Sequence, residues 1–152
     1  MNRSRPRTMA LSGSLVTLLA FAWANAPTSK LPPGTIADSI VVDTSRHELS
    51  LFRGGELLRT YRVSLGRSGA KQREGDRRTP RGRYVIDHHK ADSHFHRALH
   101  ISYPNTADRA RARAAGVSPG GAIMIHGLRN GMGWLGRFHR FADWTLGCIA
   151  VT

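Results

Sequence analysis

Short apolar runs separated by turn residues follow one another after residue 37. Apolar or alternating positions at 40–43, 49–52 and 57–65 predict three strands, because alternation with a period of two is typical of a half-buried strand. Arg53-Gly54-Gly55-Glu56, between the last two runs, has the composition of a hairpin turn. The pattern therefore predicts an antiparallel meander at the start of the domain.

The second half is more irregular. Residues 66–82 are polar and turn-rich, and apolar runs at 84–86 and 99–102 predict two further strands. A helix is expected between Thr106 as N-cap and Gly116 as C-terminal stop, with Asp108 favourably placed in its first turn. These elements predict a mainly β fold with a few short helices, in one domain over residues 38–152.

The N-terminal segment has the pattern of a secretory signal over residues 1–24. Arg3, Arg5 and Arg7 precede a largely apolar stretch at 9–21, and Ala22-Trp23-Ala24 gives small residues at the spacing of a cleavage site before Asn25. The apolar stretch is shorter than the ~20 residues of a spanning helix, and a retained membrane anchor is the alternative. Residues 25–37, rich in proline, are expected to form a linker. The protein is thus predicted to be exported to the periplasm or cell wall, with no stable membrane span after cleavage.

The formal net charge is +13, and removal of residues 1–24 takes away three arginines and no acids, leaving +10. Such a surface favours anionic partners, and export makes the carboxylate-rich cell wall the expected one. A solvated arginine-rich surface without a specific site is the alternative. Nucleic acid is not expected as a partner, because no helix-turn-helix or zinc-finger pattern accompanies the charge.

Cys148 is the single cysteine of the chain, so it has no partner for an intramolecular disulfide. A buried structural thiol is one interpretation. A nucleophile is the other, because Gly147 just before it permits a tight turn and exposes backbone N–H groups, and His126 upstream supplies a base. A free thiol has a pKa of ~8.5 and needs such a base near neutral pH.

Other titratable residues give rival interpretations. His139 lies close enough along the chain to serve Cys148 as base instead of His126. Five histidines could together form a zinc site, and His94 and His96 would point the same way on a strand, but solvated or core histidines fit their spacing better. These are His88, His89, His94, His96 and His100. Asp76 and Asp143 are expected to be turn or surface acids rather than catalytic carboxylates.

Four ordered motifs stand out along the chain. The first is the hairpin at 40–52, and the second is 75–84, Gly-Asp-Arg-Arg-Thr-Pro-Arg-Gly-Arg-Tyr. The third is Ile101-Ser102-Tyr103-Pro104, and the fourth is Ile125-His126-Gly127 together with Thr145-x-Gly147-Cys148. In this order they resemble the first hairpin, the G-D-x-x-T-P-x-G-x-Y signature, a further segment and the catalytic motif of the L,D-transpeptidase catalytic domain, the YkuD-type family of cell-wall enzymes.

The resemblance implies a cysteine acyltransferase that acts on peptidoglycan stem peptides through a Cys148 thioester, with His126 as base. It also implies that the Gly127 carbonyl orients the imidazole and that the N–H groups of Leu146, Gly147 and Cys148 form the oxyanion site. No metal or other cofactor is implied. An L,D-carboxypeptidase or peptidoglycan hydrolase of the same family, or a non-catalytic cell-wall-binding module, remain alternatives.

The chain departs from the family pattern at two positions and at its C-terminal end. Leu146 stands where a polar residue is common, and Ala150 stands where many members have an arginine that could bind a substrate carboxylate. Four residues follow Cys148, fewer than in most members, so a domain truncated at its C-terminus is expected.

Overall fold

The computed structural model describes residues 10–152, and the predicted basic region with Arg3, Arg5 and Arg7 lies outside the described residues. The strands are β1 (Ser39–Asp43), β2 (Glu48–Arg53), β3 (Glu56–Arg62), β4 (Ile86–Ser93), β5 (His96–Ile101), β6 (Met124–His126) and β7 (Ile149–Ala150). The helices are α1 (Ala10–Asn25) and α2 (Thr106–Ala114), and a kinked 3-10 segment covers Gly133–Phe141. The expectation of a mainly β fold with a few short helices is confirmed.

The first sheet is the predicted meander. β1 pairs with β2 and β2 pairs with β3, both antiparallel, and the hairpin turn falls at Gly54-Gly55. Both glycines have positive φ angles, which other residues rarely adopt. The third strand is shorter than predicted, because residues 63–65 leave the sheet after Arg62 and turn into the core.

The second sheet has the order β4-β5-β6-β7, with β6 and β7 parallel and the other pairs antiparallel. The predicted strand at 84–86 is misplaced: β4 starts at Ile86, because Tyr84 is held outside the sheet by a hydrogen bond from its hydroxyl to Asp108. The sequence pattern did not predict β6 and β7, which have only three and two residues.

One core lies between the sheets, and it is formed by aliphatic residues from both of them and by Tyr103. The buried members are Leu49, Val63, Leu65, Ile101, Tyr103, Ile123, Ile125 and Ile149. Ser64 connects the first sheet to β7, because its N–H and carbonyl both bond the backbone of Ala150, at 3.0 and 2.8 Å. The last strand is therefore anchored from two sides.

Helix α2 begins one residue after its cap, which is Asn105 and not the predicted Thr106. The Asn105 side chain accepts a bond from the Asp108 N–H, and the Asp108 carboxylate accepts one from the Asn105 N–H. This reciprocal capping box fixes the start of the helix. Gly116, with φ +64°, lies just beyond the helix end, as predicted.

Helix α1 packs against the 3-10 segment through its C-terminal end. The Trp23 ring lies 6.4 Å from the rings of both Phe138 and Phe141, and the Arg137 guanidinium donates to the Trp23 carbonyl at 2.6 Å. Ala24, the residue before the predicted cleavage point, is only 2% exposed. Within residues 10–152 no helix combines the length and apolar character needed to cross a membrane.

Candidate active site

The parallel pairing of β6 with β7 places the predicted base and the predicted nucleophile on neighbouring segments. Ile125 lies opposite Ile149 and His126 lies opposite Ala150, so Cys148 is level with Met124. Because side chains alternate between the two faces of a strand, His126 and Cys148 project on the same side, two positions apart. Ile125 and Ile149 project on the other side into the core.

The ring of His126 is enclosed and oriented. It is 6% exposed and lies 4.5 Å from the Phe95 ring and 5.9 Å from the Trp144 ring, centroid to centroid. Its Nδ1 is 2.7 Å from the Gly127 carbonyl oxygen, which can only accept. Nδ1 therefore carries the hydrogen, and Nε2 is left with the lone pair that a base needs.

Burial lowers the pKa of His126 below its ordinary value of 6.5, and the hydrogen bond to Gly127 opposes this shift. The imidazole is therefore neutral at pH 7. The Gly127 carbonyl stabilises the imidazolium form, which is the form that exists after the ring has taken a proton. The site thus contains a histidine in the state required of a general base.

The thiol of Cys148 is protonated in the resting site. Burial raises its pKa above the ordinary value, against smaller lowering effects from the Met124 N–H and the charge of Lys71. The sulfur lies 3.9 Å from the Ala122 carbonyl oxygen, which is its recorded hydrogen-bond partner within residues 10–152. The thiol hydrogen must therefore turn from Ala122 towards His126 before it can be transferred.

The turn before the nucleophile is fixed by Thr145. The Thr145 hydroxyl donates to the Cys148 carbonyl at 2.7 Å and accepts from the Gly147 N–H at 3.2 Å. In the described part of the chain, no acceptor is recorded for the N–H groups of Leu146 and Cys148. Three N–H groups were expected at an oxyanion site. Those of Leu146 and Cys148 are free to donate to an oxyanion, whereas that of Gly147 donates to the Thr145 hydroxyl.

Gly147 could not be another residue in this conformation. Its φ is +123°, and a Cβ atom would lie 2.7 Å from the Arg78 carbonyl oxygen. This close approach places the turn against the loop of the Gly-Asp-x-x-Thr-Pro motif. The side chain of Leu146, in contrast, is 69% exposed, and Ala150 is fully buried, so neither replaces the polar contacts common at these positions.

Asp76 organises that loop, as expected of a turn acid. Burial by itself would raise its pKa, but hydrogen bonds from three backbone N–H groups and from Lys71 hold the pKa well below the usual range. The Lys71 ammonium lies 3.0 Å from the Asp76 carboxylate. Asp143 is likewise structural, because it accepts the Leu65 N–H at 2.9 Å and pairs with His47.

His139, the alternative candidate for the base, has hydrogen-bond partners on both ring nitrogens. Its Nδ1 lies 3.2 Å from the Ser64 hydroxyl, and its Nε2 lies 2.8 Å from the Thr152 hydroxyl. Burial, followed by the charges of Arg140 and His126, lowers the pKa of His139 to about 4. These contacts favour a structural role for this ring.

We expect His139 to make the fold acid-sensitive. The unfolded chain binds this proton near pH 6.5 and the folded chain near pH 4, so its contribution to stability is complete above pH 6.5 and is lost as the pH falls towards 4. His139→Gln should flatten the dependence of the unfolding free energy on pH in this window, measured by urea unfolding, while replacement of the exposed His88 should not. An unchanged slope would contradict the buried neutral state.

The histidines considered for zinc do not form a cluster. His94 lies in the turn between β4 and β5, whereas His96 begins β5, so the two do not share a strand face as considered from the sequence. His100 pairs with Asp87 at 2.5 Å. In the part of the chain that the structure describes, no three His, Cys, Asp or Glu side chains are placed to hold a metal ion.

Three residues beside the site were not predicted from the sequence to contribute to it. Phe95 and Trp144 enclose the base, and Lys71 acts on the thiol through its charge. Trp144 directly precedes the Thr145-x-Gly147-Cys148 motif, which is the one sequence cue that could have indicated it. Phe95 and Lys71 reach the site only through the folding of distant loops.

The fold and the site define a class of β-rich domain in which a histidine ends one strand and a cysteine directly precedes the parallel strand beside it. The family model of the L,D-transpeptidase catalytic domain, YkuD, matches residues 37–152, and the chain belongs to this family. The proposed resemblance is thereby confirmed.

Similar proteins and solved structures cover parts of the chain. A stretch of 76 residues, 47% of this chain, is 37% identical to YafK of Escherichia coli strain K12, which is named as an L,D-transpeptidase, and equally to YafK of Escherichia coli O157:H7. The helical cell shape determining protein Pgp2 of Campylobacter jejuni aligns with a TM-score of 0.46 and 26% identity, over 76% of this chain and 41% of that one. Bd1075 of Bdellovibrio bacteriovorus aligns with a TM-score of 0.46 and 22% identity, over 76% of this chain and 42% of that one. The chain spans 29% of the length of YafK and less than half of both structures.

Proposed function

We propose that this domain is a cysteine acyltransferase that acts on peptidoglycan stem peptides, with Cys148 as nucleophile and His126 as base. The observation that supports the proposal is the register of β6 and β7, from which we expect both side chains on one face, together with the hydrogen bond between Nδ1 of His126 and Gly127. Membership of the L,D-transpeptidase family supplies the substrate class.

The first half of the reaction starts from two neutral groups. His126 Nε2 takes the thiol proton as the sulfur attacks the carbonyl of the bond between an L-centre and a terminal D-amino acid. The N–H groups of Leu146 and Cys148 donate to the oxyanion that forms. The imidazolium then gives its proton to the departing amine, the C–N bond breaks, and a Cys148 thioester remains.

The second half repeats these steps in reverse order. An amine attacks the thioester carbonyl while His126 accepts its proton, and the proton returns to the sulfur as the C–S bond breaks. Water in place of the amine gives hydrolysis, with the same protein groups. The resting thiol avoids wasteful reaction because its raised pKa keeps it protonated until a substrate displaces the Ala122 contact.

Export of the domain is part of the proposal, because members of this family act on peptidoglycan. We propose that residues 1–24 act as the secretory signal and that cleavage before Asn25 occurs while the chain is still unfolded. The burial of Ala24 in the folded structure supports this order of events, since a folded chain would hide the cleavage site.

The test is mass spectrometry of muropeptides incubated with the purified protein. We expect loss of the terminal D-amino acid from tetrapeptide stems, with cross-linked products when an amine acceptor is present. Cys148→Ser serves as the control with nearly the same volume. Unchanged muropeptides with wild-type protein would leave the domain as a binding module and overturn the proposal, whereas shortened but never cross-linked stems would assign it as a carboxypeptidase.

A further inference from the structure

A basic cavity of about 670 Å³ opens beside the loop that follows Gly66. Three arginines line it, Arg67, Arg73 and Arg78, together with the acids Glu74 and Asp76. On residue charges alone the lining is only slightly positive. The contacts of the two acids change the net charge that a ligand in the cavity would meet.

Both carboxylates of the cavity are already engaged by the protein. Asp76 accepts the Lys71 ammonium at 3.0 Å and three backbone N–H groups at 2.7 to 3.0 Å. Glu74 accepts the Ser118 hydroxyl at 2.8 Å. The buried Lys71 therefore balances the charge of Asp76, whereas Glu74 keeps its own charge. The three arginines still outweigh this one remaining carboxylate.

The guanidinium groups of the cavity have no such partners. Within residues 10–152, no hydrogen bond or ion pair is recorded for the side chains of Arg67, Arg73 or Arg78. A bridge between the backbones of Arg67 and Arg78 keeps the two residues side by side. The Arg78 Cζ lies 3.4 Å from the Cβ position of Gly69, so this guanidinium packs against a bare stretch of backbone.

The loop that lines the cavity contacts the turn that leads to the nucleophile. The Arg78 carbonyl oxygen is 2.7 Å from the Cβ position of Gly147, the residue just before Cys148. The charge of Lys71, whose ammonium is held by the cavity residue Asp76, acts on the thiol. The cavity loop is thus tied to the site both by a backbone contact and by the charge of Lys71.

We propose that Arg67, Arg73 and Arg78 form a subsite for a free carboxylate of the peptide whose carbonyl Cys148 attacks. The subsite rests on the proposed function and adds a determinant of substrate choice to it. A guanidinium binds a carboxylate through two parallel N–H···O bonds, so the pocket fixes orientation as well as charge. Anchoring a remote carboxylate would hold the scissile carbonyl beside the sulfur.

The first test measures binding in a Cys148→Ala background, where turnover is absent. The ligands are a stem peptide with free carboxylates and the same peptide with its carboxylates amidated. Arg78→Gln should weaken binding of the free acid about tenfold and leave the amidated peptide unchanged. Arg53→Gln, at the far hairpin tip of the first sheet, is the matched control and should affect neither ligand. Equal weakening of both peptides, or none, would overturn the subsite.

The second test is independent of the proposed function. Cys148 is the single thiol, so its alkylation by iodoacetate can be compared with that by the neutral isostere iodoacetamide. In the chain that retains Cys148, the iodoacetate to iodoacetamide rate ratio should fall several-fold when Arg67, Arg73 and Arg78 are all replaced by glutamine, and should not fall with Arg53→Gln. A ratio that does not change means that the three arginines form no anion site.

The combined outcomes separate the two proposals. If neither peptide binds but the alkylation ratio falls, the proposed substrate is wrong and the anion site stands. Inorganic phosphate is the competing probe, because arginine also binds phosphate. Displacement of the free-acid peptide by phosphate at concentrations where acetate has no effect would assign the cavity to a phosphate group and overturn the carboxylate assignment.

Discussion

Replacement of Cys148 by alanine is expected to abolish turnover and every covalent adduct of the protein with an acylating substrate. The reason is chemical: transfer in two steps requires a thioester, and the chain contains no second thiol that could form one. Intact-protein mass spectrometry after incubation with a carbapenem, which the family relationship suggests as a probe, should show one added mass on wild-type protein and none on the variant.

The fold should tolerate this change. The Cys148 side chain is partly exposed, and its hydrogen bond to Ala122 is long at 3.9 Å. The variant should therefore unfold cooperatively at nearly the wild-type urea concentration. An adduct that persists on Cys148→Ala would place the nucleophile on another residue and contradict the mechanism.

Replacement of His126 by glutamine is expected to lower kcat/KM by about 10²–10⁴-fold, the usual contribution of a general base. Glutamine keeps a polar group beside Gly127 but cannot accept and release a proton. His139→Gln is the comparison, because its ring nitrogens bond Ser64 and Thr152 and it reaches the site only through a 3.4 Å contact with Trp144. Its activity per folded molecule should stay within a few-fold of wild type.

The pH profile gives a second check on the same residue. Since burial lowers the pKa of His126 below 6.5, the neutral base is already the main form at pH 6.5. Activity should thus rise with pH through a value below 6.5 and be level from there to neutral pH, and this acid limb should vanish in His126→Gln. A midpoint above pH 7, or losses of equal size for His126→Gln and His139→Gln, would contradict the assignment.

The sequence was sufficient for the parts of the fold that depend on local pattern. The first sheet follows from alternation and from the turn at Gly54-Gly55, and α2 follows from its polar cap and from Gly116. His126 and Cys148 could be named because histidine, glycine and cysteine occur in short, distinctive motifs.

The rest depends on contacts between distant segments. β7 has only two residues, and no local pattern shows that Ile149 will pair with Ile125 or that Ser64 will bridge to Ala150. Residues 63–65 continue the alternation of β3, yet they leave the sheet because burial in the core competes with edge pairing. The enclosure of His126 by Phe95 and Trp144 is likewise a product of tertiary packing.

The parallel register of β6 and β7 also determines when the site can exist. The two strands are separated by the loop that contains the 3-10 segment, so the base and the nucleophile meet only after a long loop has closed, which is a slow kind of step in folding. An unfolded chain in transit across a membrane would contain both residues, but their side chains would not yet be adjacent. The thiol thus gains its base only after β6 and β7 have paired, so the two motifs by themselves do not make an active pair.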